Sequence, residues 1–383
     1  MDHRELDDLW DAPLASELEP RYKKAGKGRQ PQERFRIREE KQRSLRNGSA
    51  VFYAGKLETE PRRERIIKRP LPKAPFRVLD APSVMNDYYL NVLDWSAEEI
   101  VALGLCDHLY AWNARTKSVS HVSTAAENNY VSGVSFSSTG LLAVGMSDGN
   151  IEIFDLDKQK STKLPQRSCR VSSLAWGDGI LSAGGKDGAI FNYDTRCGEH
   201  VSSFLEHTQE ICGLKWDEDR MYLASGANDN CVNVWRNGSS RPRVKLEGHS
   251  SAVRAVAWCP WKKGVLATGG GVTDRTIRAW DTERGVCVSS TETEAQVCGI
   301  LFSERHKELI STHGYSDNNI CVWKFCTMRK IGEMSGHADR VLYSAMSPDG
   351  NTLATCAADE NLNFWKIFEH PKEKDAEESF LIR

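Results

Sequence analysis

Six aspartates in this chain of 383 residues share one spacing. Asp148, Asp187, Asp229, Asp274, Asp317 and Asp359 each stand six residues before an aromatic side chain. Carboxylates serve as general acids and bases, as metal ligands, as holders of a guanidinium, or as anchors for buried donors. The companions of catalysis are missing. The ten histidines have no metal-ligand spacing, and no serine sits in a nucleophile elbow. Gly269, Gly270 and Gly271 precede Val-Thr-Asp-Arg and not Lys-Ser/Thr. They are expected in a strand-to-strand turn needing positive φ and close backbone approach, so they form no phosphate loop. Cys321 and Cys326, the closest pair among eleven cysteines, match no zinc ribbon. An odd count without an export signal points to reduced thiols. No cofactor, no metal and no enzymatic activity is expected.

The elements that hold these aspartates repeat. Trp112, Phe154, Tyr193, Trp235, Trp280, Trp323 and Trp365 end similar apolar runs at gaps of 42, 39, 42, 45, 43 and 42 residues. The first unit departs from the rule, with Cys106 in the aspartate position. A second series, "VLDW", "VSFS", "SLAW", "GLKW", "AVAW", "GILF" and "YSAM", keeps step with the first. Each unit alternates apolar and polar residues and is cut by Gly, Asn, Asp and Ser, as short strands require. Four strands in about 40 residues match a WD-repeat propeller blade. "GH" at 248–249 and 336–337 and "WD" at 280–281 agree. That resemblance implies a hydrogen-bonded chain through His337, Thr355, Asp359 and Trp365, repeated by His207, Ser225, Asp229 and Trp235, and a structural role for His249. Each such bond contributes about 1 kcal/mol net, and a buried polar group must find a partner.

Seven blades leave no exposed sheet edge if a strand from the N-terminal side joins the last. "FRVLDA", 76–81, is the candidate to complete blade 7. The expected fold is all-β: a seven-bladed propeller over 76–368, an N-terminal arm over 1–75 and a tail over 369–383. Asp359 then has structural counterparts in other blades. The next slot varies, holding Gly149, Gly188, Asn230, Arg275, Asn318 and Glu360. A position that varies on a shared rim suits binding, so Glu360 is a binding candidate.

Charge is unevenly placed. Residues 21–76 carry 18 Lys/Arg against 6 Asp/Glu, while residues 1–20 carry one Arg against seven acids. A basic arm thus joins an acidic body. It lacks the interleaved aromatics of a nucleic-acid binder, so no nucleic acid is expected as partner. No apolar run approaches the ~18 residues of a membrane helix, and no membrane association is expected.

Longer stretches are more specific. "LDAPSVMNDYYLNVLDWS" (79–96), "QEICGLKW" (209–216), "GANDNCVNVW" (226–235), "AVRAVAWCPWKKGVLATGGGVTDRTIRAW" (252–280), "QVCGILFSERHKELISTHGYS" (296–316) and "GHADRVLYSAMSPDG" (336–350) resemble the fizzy family. These proteins are co-activators of the anaphase-promoting complex, a ubiquitin ligase. "NDYYLN", "AWCPW" and "AADE" are more similar to its mitotic branch. The resemblance implies a non-catalytic adaptor in the nucleus and cytoplasm. It implies ligase subunits as partners, with degron-bearing substrates such as cyclins and securin, and mitotic-checkpoint proteins. It places the arginine of a destruction box between Asp87 and Glu360, and a Lys-Glu-Asn degron on Asp94, Asn228, Asn230, Gln296 and Arg340. Gln296 and Arg340 each precede the inner strand of a blade, which puts both at one rim. Val272 stands where the family usually has threonine, which implies a lost hydrogen bond to this degron unless Thr273 substitutes.

The ends carry docking candidates. Ile382-Arg383 resembles the family's Ile-Arg tail. "EPRYKKAGKGR" (19–29) keeps Arg21 and Tyr22 of the C box but lacks Ile-Pro. "EKQRSLRNG" (40–48) keeps Leu45 and Arg46 of a second docking motif, and "AVFYAGKLETEP" (50–61) resembles the segment that checkpoint proteins clamp. The alternative reading is a propeller scaffold of the same ancestry that no longer activates the ligase.

Overall fold

The computed structural model describes residues 70–368; Arg21, Tyr22, Leu45, Arg46, Ile382 and Arg383 lie outside them. The described chain forms seven four-stranded antiparallel sheets. Six are built of four consecutive strands. Blade 1, for example, runs Leu93–Trp95, Ile100–Leu105, His108–Asn113 and Val119–Thr124. The seventh takes Val341–Met346, Thr352–Ala357 and Asn361–Lys366 and borrows Arg77–Asp80 as its fourth strand. Arg77 stands opposite Phe364 and Leu79 opposite Leu362, so the segment expected to close the ring does so.

Burial grades from axis to perimeter. The inner strand of blade 3, Val171–Trp176, is buried throughout, because neighbouring blades cover both of its faces. The outer strand of blade 2, Lys160–Lys163, is exposed throughout. The repeating aromatics all lie on third strands, and Trp235 and Trp365 have no exposed surface. In blade 4, His207 Nδ1 lies 2.9 Å from Asp229 and Nε2 lies 2.8 Å from Ser225 Oγ, which accepts from Trp235 Nε1 at 2.8 Å. Blade 7 repeats this through His337, Asp359, Thr355 and Trp365. Blade 5 does so through His249, Asp274, Thr268 and Trp280. Blade 3 solves the same problem differently. Arg167 Nη2 donates to Asp187 at 2.8 Å, and its guanidinium lies 4.1 Å from the Phe191 ring centroid.

One expectation needs correction. None of Gly269, Gly270 and Gly271 has positive φ, and the first two end the strand Val265–Gly270. Close approach alone explains Gly269, where a Cβ would stand 2.3 Å from Val297 Cγ1 of the next blade. The first unit's departure from the aspartate rule at Cys106 has a backbone cause. Blade 1 joins Ile100–Leu105 to His108–Asn113 by a two-residue turn, so the loop that carries aspartate elsewhere is shortened.

At the axis, Arg254 is buried and donates to the carbonyls of Cys298 (2.6 Å), Leu90 (2.6 Å) and Leu342. Asn91 Nδ2 donates to Ser172 O and Cys212 O, both at 2.9 Å. Residues 81–91 therefore run from the perimeter of blade 7 to the centre of the ring.

Candidate functional site: one face of the ring

Strands alternate in direction. The turns between second and third strands and the connections between blades therefore open on one face. Glu360 lies in such a turn, and Gln296 and Arg340 lie in such connections. The turn slot has a backbone reason that the variable residues concealed. Gly149, Gly188, Asn230, Arg275, Asn318 and Glu360 all have positive φ, between 48° and 90°. Glycine and asparagine suit that conformation, while a longer side chain costs about 1 kcal/mol there. Glutamate at φ 61° is thus a costly choice for a turn. Its Oε1 accepts from Ser83 N at 2.9 Å, and its carbonyl accepts from Ala81 N at 2.8 Å.

Asp87 lies four residues beyond Ser83. The two attachment points are therefore at most about 14 Å apart along the chain. Asp87 is half-buried and its carboxylate is engaged twice. Oδ1 accepts from Tyr89 N at 2.9 Å, and Oδ2 accepts from Arg170 Nη1 at 2.8 Å. Arg170 also forks onto Glu210 at 2.8 and 2.9 Å and donates to Tyr130 at 3.0 Å. Two acids thus hold opposite ends of one short segment.

A depression of about 430 Å³ adjoins it, lined by Asp87, Tyr89, Asn228, Val272, Gln296 and Arg340 among others. Gln296 is 3% exposed, and its Oε1 has no hydrogen-bond partner among the described residues. A buried acceptor left unpaired costs about 1–3 kcal/mol, which a donor from a ligand recovers. Arg340 gives Nε to Asn86 Oδ1 at 2.5 Å and Nη2 to Asn86 O at 2.9 Å, and lies 5.5 Å from the Tyr315 ring centroid. Asn228 accepts from Tyr89 OH at 3.0 Å and donates to Gln209 at 2.7 Å. Val272 is 52% exposed, while Thr273 directs its hydroxyl to Ser250 O at 3.4 Å and does not line the depression.

Two predicted residues stand elsewhere. Asn230 fills the left-handed turn slot and is not on the depression's wall. Asp94 lies in the strand Leu93–Trp95 and lines a separate central channel of about 340 Å³. It accepts from Phe136 N at 2.7 Å and Trp95 N at 2.9 Å. Burial raises its pKa, with Lys215 and these two donors opposing. The face is built from turns, which is why a strand residue falls away from it. Sequence reasoning passed over Arg170, Glu210 and Tyr130. A signal was available, because each immediately precedes an inner strand, as Gln296 and Arg340 do.

The fold and this face define a WD-repeat propeller with a polar-lined depression on one face. The family description "CDC20/Fizzy WD40 domain" matches residues 79–365, and the chain belongs to that family. The anaphase-promoting complex subunit cdc20 of Dictyostelium discoideum is 45% identical over 308 residues, which cover 79% of this chain and 62% of that protein. Protein FIZZY-RELATED 2 of Arabidopsis thaliana is 45% identical over 312 residues, covering 81% and 65%. The chain thus spans a little under two thirds of the length of these relatives. A chain in a crystal structure of the mitotic checkpoint complex superposes with a TM-score of 0.77 at 41% identity, covering 79% of this chain and 98% of that one.

Proposed function

We propose that this chain is a substrate-recruiting activator of the anaphase-promoting complex ubiquitin ligase, of the mitotic type, acting as an adaptor in nucleus and cytoplasm. Asp87 and Glu360 receive the arginine of a destruction box. Asn228, Gln296 and Arg340 receive a Lys-Glu-Asn degron. The observation that carries the reading is the attachment of both acids to one short segment beside a depression with an unpaired, buried acceptor. Two carboxylates suit a guanidinium fork. Arg340, whose Nη1 has no hydrogen bond among the described residues, suits a carboxylate, and the Gln296 amide suits an asparagine. The names of the relatives support the ligase as partner, and that of the checkpoint assembly supports checkpoint proteins as further partners. The arm and the terminal Ile382-Arg383 dock on the ligase.

The test is reconstitution. Purified ligase with a degron-bearing protein is expected to form ubiquitin conjugates only when this chain is added, and deletion of Ile382-Arg383 is expected to weaken ligase binding in a pull-down. Ligase binding without any gain in conjugation would replace the activator by a scaffold.

A further inference from the structure

The two candidate peptide positions share a closed circuit of hydrogen bonds. Asp87 Oδ2 accepts from Arg170 Nη1. Arg170 forks onto the Glu210 carboxylate. The Glu210 carbonyl accepts from Asn228 N at 2.9 Å. Asn228 Oδ1 accepts from Tyr89 OH, and Tyr89 N donates back to Asp87 Oδ1. One arc carries the acid assigned to the destruction-box arginine. The other carries the asparagine assigned to the Lys-Glu-Asn degron. Arg170 and Glu210 are largely withdrawn from solvent, with side chains 13% and 9% exposed, and neither lines the depression. Their work is therefore on other residues and not on a ligand.

We propose that Arg170 is a positioning residue that couples the two degron positions. The inference rests on the reading of the face given above. A guanidinium on Asp87 is best held when Asp87 is fixed, and Asp87 is fixed through Arg170 and Tyr89. The same two links orient Asn228. Each peptide therefore favours the arrangement that the other binds, which makes the coupling positive and reciprocal. It operates between separate peptides, so it is distinct from the avidity of one chain bearing both motifs.

The experiment uses the full chain and two separate synthetic peptides, one with a destruction box and one with Lys-Glu-Asn. Calorimetry measures the affinity for each peptide with and without a saturating amount of the other. The native protein is expected to bind the second peptide about fivefold more tightly, or better, when the first is present. Two variants open the circuit at different links. Tyr89→Phe leaves every charge in place. Arg170→Gln with Glu210→Gln removes a charge pair together, so Glu210 is not left as a buried lone carboxylate, and half-buried Asp87 keeps the Tyr89 N–H. Tyr89 lines the depression, so in each variant the ratio is read against that variant's own affinity for each peptide alone; it is expected to fall to one in both, and thermal melting reports whether the variant is folded. A native ratio of one, or a ratio that persists in folded variants of both kinds, overturns the proposal. Failure of both peptides to bind the native protein overturns the reading of the face itself, and this inference with it.

Discussion

Replacing Asp274 by asparagine tests the polar chains that lock the blades. The Asp274 side chain is 2% exposed, lies 2.7 Å from His249 Nδ1, accepts from Ser250 N at 2.8 Å and also bonds Thr276 Oγ1. Burial would raise its pKa, but His249 and Thr276 outweigh burial and hold it at about 2. An unfolded aspartate titrates near ~3.9, so the charged form gains about 2 kcal/mol in the fold once solvent screening at the face is deducted. Asparagine keeps the shape and one acceptor but loses that gain. A domain of this size melts about 2–4 °C lower per kcal/mol, so Asp274→Asn is expected to melt about 4–8 °C below the native protein at pH 7 by tryptophan fluorescence. The depressed carboxylate stabilises above the unfolded pKa, and its contribution is lost as pH falls through about 2. The gap between the two proteins should therefore close between about pH 4 and pH 2. An equal gap at pH 7 and at pH 2.5, or no gap at pH 7, refutes the reasoning.

Three further outcomes are expected. Gly269→Ala places its Cβ 2.3 Å from Val297 Cγ1 and should lose about 1–3 kcal/mol, read as a lower denaturant midpoint. Arg254→Met leaves the Leu90, Cys298 and Leu342 carbonyls without their buried donor and should cost about 1–3 kcal/mol for each acceptor left unpaired, again read from the midpoint. Val272→Thr adds a hydroxyl on the wall of the depression and should tighten a Lys-Glu-Asn peptide by about 2–10-fold in calorimetry, the yield of one net hydrogen bond.

Much of the fold was legible because its signals are local and repeated. The aspartate-to-aromatic spacing and the alternating runs each lie within a few residues of one another, and six copies of the first and seven of the second reinforce them. The closing strand was legible because an open ring leaves an unpaired edge. The Arg167 anchor of blade 3 was not, because an arginine 20 residues before an aspartate has no recurring spelling. The positive φ shared by Glu360 and its counterparts is a backbone property that only Gly and Asn advertise. The face was legible in part. Asn228, Gln296 and Arg340 do share one depression with Asp87. The bond from Asp87 to Arg170, 83 residues away in sequence, is a contact through space that no periodicity announces. Asp94 shows the reverse: a carboxylate near the right segment whose strand turns it toward the channel.

The central claim is that Asp87 and Glu360 together receive a guanidinium. Its most direct measurement is a calorimetric titration of a destruction-box peptide into the native protein, Glu360→Gln, and Asp87→Asn with Glu360→Gln. Glutamine keeps the acceptor for Ser83 N, so the backbone arrangement is expected to survive. Glu360 is exposed, and the loss of its charge should weaken binding by about fivefold. The double variant loses a second, half-buried charge and should weaken it by about 50-fold or more, while an alanine-for-arginine peptide binds all three proteins equally poorly. Undiminished affinity in a folded double variant contradicts the account.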